Sequence, residues 1–204
     1  DENRQSLYFT AKSMTDDGRF LLFDVSPNER RVREARADKK GKNPLAKRLI
    51  AKHKALIDFA TDTFIDLPDV SGQIPFVDVK DDYMVYYHDG VFYRRDFRNP
   101  TVETKLCDYP KELLKDGAQL RYPFTHLTLT RDRKKAFLDS CLVLPNNVTN
   151  YIQGLLELTT GQYESWGKTD FFANHGQLNP VRDDLAMCAW ESCWTTGGTE
   201  YKKR

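Results

Sequence analysis

The chain has 204 residues, of which 40% are hydrophobic and 12% aromatic, enough for one large domain or two small ones. Its 31 basic and 30 acidic residues nearly cancel. This balance argues against a dedicated nucleic-acid-binding protein, because such a domain is expected to be strongly basic. No apolar run approaches the roughly 20 residues that a membrane-spanning helix needs.

A turn with acidic residues, followed by a short apolar strand, occurs four times along the chain. Asp side chains favour such turns because they bond the neighbouring backbone and tolerate unusual dihedral angles. Acidic turns between β-rich segments predict hairpins. The four turns and their strands are 15–19 with 20–25, 80–82 with 83–87, 130–133 with 136–138, and 181–184 with 185–190.

Three of these hairpins are followed by two further short strands, and together they suggest a repeated unit of about 50 residues. The additional strand pairs are 56–59 with 63–67, 91–97 with 103–107, and 152–158 with 162–166. Regularly spaced short strands favour an all-β barrel, sandwich or propeller, and the internal period selects the propeller. We therefore expect an all-β fold with about three to four blades of a larger β-propeller. The expected blades are 7–69, 72–109, 122–167 and an incomplete 171–204, with the remaining blades outside this sequence.

Two segments interrupt this rhythm. Residues 29–54 are strongly basic and lie between two strands of the first blade. A solvated surface excursion accounts for this charge, and the alternative is a cationic arm that helps to hold an anionic substrate or partner. Residues 111–119 form a second excursion, in which we expect one or two helical turns.

The cysteines indicate packing rather than metal binding. Cys107, Cys141, Cys188 and Cys193 lack the close spacing of a zinc ribbon or a Cys-x-x-Cys pair. Cys141 and Cys188 fall in equivalent strands of neighbouring blades, where buried thiols pack as small hydrophobic groups. The sequence does not decide whether Cys188 and Cys193 form a disulfide.

Two histidines begin the segments that resemble each other most. His126 precedes Leu-Thr-Leu-Thr-Arg-Asp, and His175 precedes Gly-Gln-Leu-Asn-Pro-Val-Arg-Asp, 49 residues later. Side chains at every second position of a strand point to one face, and equivalent strands of a propeller face one funnel, so both imidazoles are expected in one pocket. They are either structural groups bonded to neighbouring loops or an acid–base pair, since histidine exchanges protons near neutral pH. We expect His53 and His88 to be solvated.

A family resemblance rests on two short motifs. The segment 174–180, Asn-His-Gly-Gln-Leu-Asn-Pro, resembles the His-x-Gln-x-x-Pro strand of oligogalacturonate lyase-type propellers. The segment 15–23 reads Thr-x-Asp-Gly-x-x-Leu-Leu-Phe and resembles the blade opening of the same proteins. The plan is also similar to that of ulvan lyase-type propellers, which use histidines of the central funnel. The resemblance is thus to seven-bladed polysaccharide lyases.

This resemblance implies cleavage of uronate-containing glycans by β-elimination. A base removes the proton at C5, beside a carboxylate that a cation must neutralise, and an acid protonates the leaving oxygen. The resemblance implies His175 as the base and His126 as its partner, either as the acid or as a substrate contact. The candidate substrate contacts are Gln177 and Asn174 in the motif, Arg121 and Tyr122 before His126, and Trp194 as an aromatic platform.

The resemblance also implies partners and a cofactor. In oligogalacturonate lyases a metal held by histidines and a glutamine neutralises the carboxylate, which implies Mn or Ca bound by blades outside this sequence, with no metal ligand assigned here. The expected partners are an acidic polysaccharide or oligosaccharide and the remainder of the propeller, with no nucleic acid and no membrane. We expect a periplasmic or secreted location, with a cytoplasmic one left open. The alternative function is a non-catalytic TolB- or WD-type propeller that binds a glycan or a protein, because fold alone does not decide function.

Overall fold

The computed structural model describes residues 2–5, 13–27, 53–71, 77–80, 82–169 and 171–191. Within these ranges the chain forms fifteen strands and one short 3-10 helix, which confirms the all-β class. The chain divides into two compact units, Asp1–Asp89 with Tyr93–Lys105 and Gly90–Phe92 with Leu106–Arg204. No helix in the described part of the chain is both long and apolar enough to cross a membrane.

The first two sheets each contain four strands that are neighbours in chain order. In the first sheet all adjacent strands are antiparallel, and in the second sheet the first two are. The strands of the first sheet are β1 (Glu2–Gln5), β2 (Phe20–Pro27), β3 (His53–Asp58) and β4 (Thr63–Ser71). Those of the second are β5 (Val77–Lys80), β6 (Tyr83–His88), β7 (Val91–Asp96) and β8 (Glu103–Asp108).

The third sheet has five strands, and a 3-10 helix (Lys111–Gly117) precedes it in the chain. Both β9 and β10 pair with one edge of β11, and β12 and β13 continue the sheet on the other side. A final hairpin, β14–β15, is antiparallel. The strands are β9 (Gln119–Tyr122), β10 (Thr128–Leu129), β11 (Lys135–Val143), β12 (Thr149–Glu157), β13 (Tyr163–Thr169), β14 (Phe172–Leu178) and β15 (Ala186–Glu191).

Two of the four acidic turns close by the mechanism that the sequence predicts. Thr15 donates its hydroxyl to Asp17, 2.6 Å away, and Asp17 accepts the backbone N–H of Arg19. Thr130 and Asp132 repeat this arrangement in the third sheet, with a hydroxyl-to-carboxylate distance of 2.7 Å. Each threonine also accepts the N–H of the first strand residue after the turn. The side chains therefore satisfy backbone donors that the tight turn leaves without partners.

Apolar faces of the strands form the cores of each unit. In the first unit one cluster contains Phe20, Leu22, Leu56, Leu67, Val70, Val79, Met84, Tyr86 and Phe97. In the second unit Phe137 and Leu155 of the third sheet pack with Leu178 of β14. This second cluster joins the hairpin to the third sheet, which brings the two histidine-bearing segments into the same neighbourhood.

The expected basic insertion at 29–54 lies outside the described residues except for its last two positions, which are strand residues. His53 and Lys54 belong to β3, so the expectation that His53 is solvated is wrong: its side chain is 14% exposed, and its Nε2 lies 2.6 Å from Asp66. Lys54 is only 1% exposed because it pairs across the sheet with Asp24, whose carboxylate binds its ammonium group. Pairing with strands on both sides covers these polar residues.

Two of the four cysteines have the buried environment that the sequence predicts. Cys107 and Cys141 are buried, as expected of thiols that pack like small hydrophobic groups. Cys188 is half-buried and accepts a hydrogen bond from Gln153 at 3.4 Å. Cys193 lies outside the described residues.

Candidate active site

The candidate site is a contact between two histidines in the second unit. His126 lies in the connection between β9 and β10, and His175 lies within β14. The backbone N–H of Leu178 donates to the Thr128 hydroxyl at 3.0 Å, which fixes β14 beside β10. Two segments that are far apart in sequence are therefore held side by side.

The two imidazoles form a hydrogen-bonded, stacked pair. His126 Nε2 and His175 Nδ1 lie 2.8 Å apart. The ring centroids are 5.0 Å apart, and the ring planes differ by 22°. Both residues are half-buried. One of the two nitrogen atoms must donate the proton and the other must accept it, so the contact requires complementary protonation at these atoms.

Burial lowers the pKa of His126, and the nearby charge of His175 lowers it further. Both causes act against the imidazolium form, because that form loses hydration on burial and would meet a second positive charge. His126 is therefore held in its neutral form near neutral pH. A neutral imidazole retains one nitrogen that can accept a hydrogen bond.

The backbone at His175 departs from a regular strand. Its φ is 53°, a left-handed conformation that is uncommon for residues other than glycine, although Asn, Asp and His adopt it more often than most. The pairing of β14 with β15 shifts register between Asn174 and Gln177, which marks a β-bulge. The Asn174 side chain accepts the backbone N–H of His175 at 2.8 Å and stabilises the bulge. The expected alternation of side chains along the strand is therefore wrong at His175. It does not apply to His126 either, because His126 lies before β10 rather than within it.

A buried carboxylate, which the sequence reasoning missed, lies beneath the pair. Asp139 is in the middle of β11 and is 2% exposed. Its Oδ1 accepts the backbone N–H of Thr125 at 2.7 Å. Its Oδ2 accepts the Thr125 hydroxyl and the backbone N–H of Gly176, the latter at 3.0 Å. Asp139 therefore binds the residue before His126 and the residue after His175.

Burial raises the pKa of Asp139 to about 6, and its hydrogen bonds with Thr125 and Gly176 oppose part of that effect. The carboxylate also influences its neighbours. Burial, assisted by the charge of Asp139, raises the pKa of the Cys188 thiol to about 11. A perturbed carboxyl beside paired histidines is a feature that often marks functional sites.

Gly176 is required for the close approach of β14 to β11. A Cβ atom at this position would lie 2.7 Å from Asp139 Oδ2 and 2.8 Å from a ring carbon of Phe137. Real Cβ contacts are longer than this, so no larger residue fits without movement. The small residue after His175 thus allows the hydrogen bond from its N–H to Asp139.

The other candidate substrate contacts occupy varied environments. Arg121 is exposed on β9, whereas the neighbouring Tyr122 hydroxyl is buried beside Cys141, and burial raises the pKa of Tyr122. Gln177 is half-buried on β14, and the Asn174 side chain is engaged in the bulge. Trp194 lies outside the described residues.

A surface cavity of about 330 Å³ also lies in the second unit, but neither histidine lines it. It is bounded by Trp166, by the third sheet and by the loop before β15. Its lining residues are Thr130, Asp132, Lys135, Leu155, Glu164, Trp166, Asp183 and Asp184. Among the described residues, no three His, Cys, Asp or Glu side chains are grouped so that they could hold a metal ion.

Solved structures identify the architecture. An oligogalacturonate lyase in complex with manganese matches with a TM-score of 0.63 and 15% identity, over 93% of this chain and 47% of that protein. An oligogalacturonate lyase from Vibrio parahaemolyticus matches with a TM-score of 0.62 and 14% identity, over 94% of this chain and 47% of that protein. The chain has a β-propeller fold similar to that of oligogalacturonate lyases. No protein-family model and no curated protein matches the sequence.

These matches confirm the expected propeller class and the resemblance at the level of the fold. Each of the two four-stranded sheets corresponds to a blade, the third sheet is a further blade, and the β14–β15 hairpin follows it in the chain. The chain spans about half the length of the lyases that it matches. The exact blade limits expected from the sequence stay predictions.

Proposed function

We propose that this chain is part of a lyase that cleaves acidic, uronate-containing oligosaccharides by β-elimination. The observation that carries the proposal is the 2.8 Å contact between His126 and His175. It occurs in a propeller whose structural neighbours are oligogalacturonate lyases. The fold alone would be compatible with a binding protein, and the coupled imidazoles supply groups suited to proton transfer.

The reaction has a simple balance of bonds. The C5–H bond breaks and its proton goes to the base, the C4–O bond breaks, and a C4=C5 double bond forms. The leaving oxygen then takes a proton. The C5 proton lies next to a carboxylate, so negative charge that develops there must be stabilised by nearby positive charge or hydrogen-bond donors.

We assign the role of base to His175. If His126 is neutral and accepts at Nε2, the proton between the rings belongs to His175 Nδ1. In this tautomer the His175 nitrogen that does not face His126, Nε2, carries a lone pair and can take the C5 proton. The resulting imidazolium donates a stronger hydrogen bond to His126, which stabilises the positive charge. His126 acts as the hydrogen-bond acceptor that orients His175. His175 can then transfer the proton that it took from C5 to the leaving oxygen.

Substrate contacts are assigned around this pair. Arg121 is the candidate partner of the substrate carboxylate, because it is exposed and permanently charged. Gln177, two residues after the proposed base, is the candidate donor to a sugar hydroxyl. A divalent metal would serve the carboxylate as well, but the described residues do not fit such a site, so no step here involves one.

The test is an absorbance assay for the unsaturated uronate product, performed with the full-length protein on pectic, ulvan and glycosaminoglycan oligosaccharides. We expect activity on at least one acidic substrate and a loss of about 100-fold or more in kcat for His175→Ala. His88→Ala is the matched control, because His88 is the last residue of β6 in the other unit, with its side chain 39% exposed. It should retain full activity.

Two outcomes would contradict the proposal in different ways. An inactive wild-type protein on every acidic substrate would eliminate the lyase assignment and favour a glycan- or protein-binding propeller. An active enzyme in which His175→Ala keeps the wild-type rate would leave the reaction class intact and refute the site.

A further inference from the structure

We propose that Asp139 is the positioning residue of the histidine pair, and that it holds His126 and His175 in hydrogen-bonding register by binding the residue adjacent to each. For its catalytic consequence this inference rests on the proposed function. The two histidines belong to different segments: His126 lies in the connection between β9 and β10, and His175 lies in β14, which pairs with β15. Asp139 is the group that both segments share.

The hydrogen bonds place this carboxylate between the two backbones. Thr125 donates its N–H to Oδ1, and Gly176 donates its N–H to Oδ2. The Thr125 hydroxyl lies 3.0 Å from the Gly176 nitrogen and also donates to Oδ2, so the three groups form one closed network. A shift of either segment by 1 Å would stretch at least one of these bonds and would also break the 2.8 Å contact of the imidazoles.

The location of Asp139 makes this network rigid. β11 is buried at seven successive positions from Ala136 to Leu142, and strands pair with it on both edges. A carboxylate in such a strand is costly to desolvate unless its oxygens accept hydrogen bonds. Here the donors come from the two histidine-bearing segments, so the stable arrangement of Asp139 and the arrangement of the pair depend on each other.

The decisive variant is Asp139→Asn, because an amide retains the shape of the side chain but replaces one accepting oxygen with a donor. Its single carbonyl oxygen can replace Oδ1 or Oδ2 but not both, so its NH2 group faces either the Thr125 N–H or the Gly176 N–H, and that backbone donor loses its side-chain acceptor at position 139. We expect kcat to fall about 100-fold with KM changed less than about threefold, as for a misplacement of catalytic groups by about 1 Å. The matched control is Ser140→Ala, the next residue on β11. Ser140 is also buried and hydrogen-bonded, but to Tyr109 and Pro123.

A second readout does not require activity. In protein labelled at histidine, NMR should show that Asp139→Asn shifts the imidazole signals of both His126 and His175. Ser140→Ala should leave both signals in place. If Asp139→Asn fails to fold, Thr125→Val removes only the hydroxyl from the network and should move the same signals to a smaller extent.

The outcomes separate this inference from the proposed function. If the wild-type protein has no lyase activity but Asp139→Asn moves both imidazoles, the positioning role stands and the lyase proposal fails. If Asp139→Asn leaves both imidazole signals unchanged, the positioning role is refuted whatever the activity. Equal losses of kcat in Asp139→Asn and Ser140→Ala would also refute it, since they would indicate a general structural effect.

Discussion

Substitution of Gly176 by alanine tests the packing beneath the histidine pair. The added Cβ would lie 2.7 Å from Asp139 Oδ2 and 2.8 Å from a ring carbon of Phe137. An ordinary contact is about 3.5 Å, so one side must move by about 0.7 Å. Neither neighbour is a flexible end, because Asp139 is held by hydrogen bonds and Phe137 is fully buried.

Overpacking of this kind costs about 1–3 kcal/mol. Replacing glycine with alanine also lowers the conformational entropy of the unfolded chain, which stabilises the folded protein by about 0.4–1 kcal/mol. We therefore expect Gly176→Ala to lower the free energy of unfolding by about 1–2 kcal/mol in urea denaturation. In an Asp139→Ala background the cost should be smaller, with a coupling of about 1 kcal/mol in a double-mutant cycle. Equal costs in the two backgrounds, or a stabilised Gly176→Ala protein, would refute the close approach.

Three further substitutions test separate features. Gly154→Ala should destabilise the protein by about 3 kcal/mol in urea denaturation, because its Cβ would collide with a backbone carbonyl oxygen of β13. His175→Gln should raise the pKa of His126 in an NMR titration, since one of two causes of the lowered pKa is removed while burial remains. Hydrogen bonding to Arg19 lowers the pKa of Asp58 to about 2, so its stabilisation is complete above about pH 4 and is lost as the pH falls through 2. Asp58→Asn should lack this acid-sensitive component when urea denaturation is repeated between pH 5 and pH 2.

The sequence predicted the strands well because their signals are local. In two of the acidic turns the threonine and aspartate bond the backbone within five residues, so Thr15 and Thr130 could be assigned to turns without any tertiary information. The neighbourhood of the two histidines also followed from the repeat. The geometry did not, because the left-handed backbone of His175 and the bulge in β14 depend on pairing with β15.

Asp139 shows what a single sequence leaves undetermined. A charged residue between Leu138 and Ser140, in an otherwise apolar segment, was a visible signal of a buried polar role. Its partners could not be inferred, because Thr125 is 14 residues away and Gly176 is 37 residues away. The expected solvation of His53 was wrong for a related reason: cross-strand pairing in β3, rather than local composition, decides its burial.

The site therefore depends on how β14 docks against the third sheet. The apolar contact of Leu178 with Phe137 and Leu155 supplies the attraction between them, but it has no directional preference. Direction comes from the hydrogen bonds of Asp139 and Thr128, which fix the height and register of β14. A pair of imidazoles needs that precision, since a hydrogen bond weakens steeply with misalignment. Hydrophobic packing can assemble the two hairpins, and the buried polar groups then determine whether His126 and His175 can share a proton.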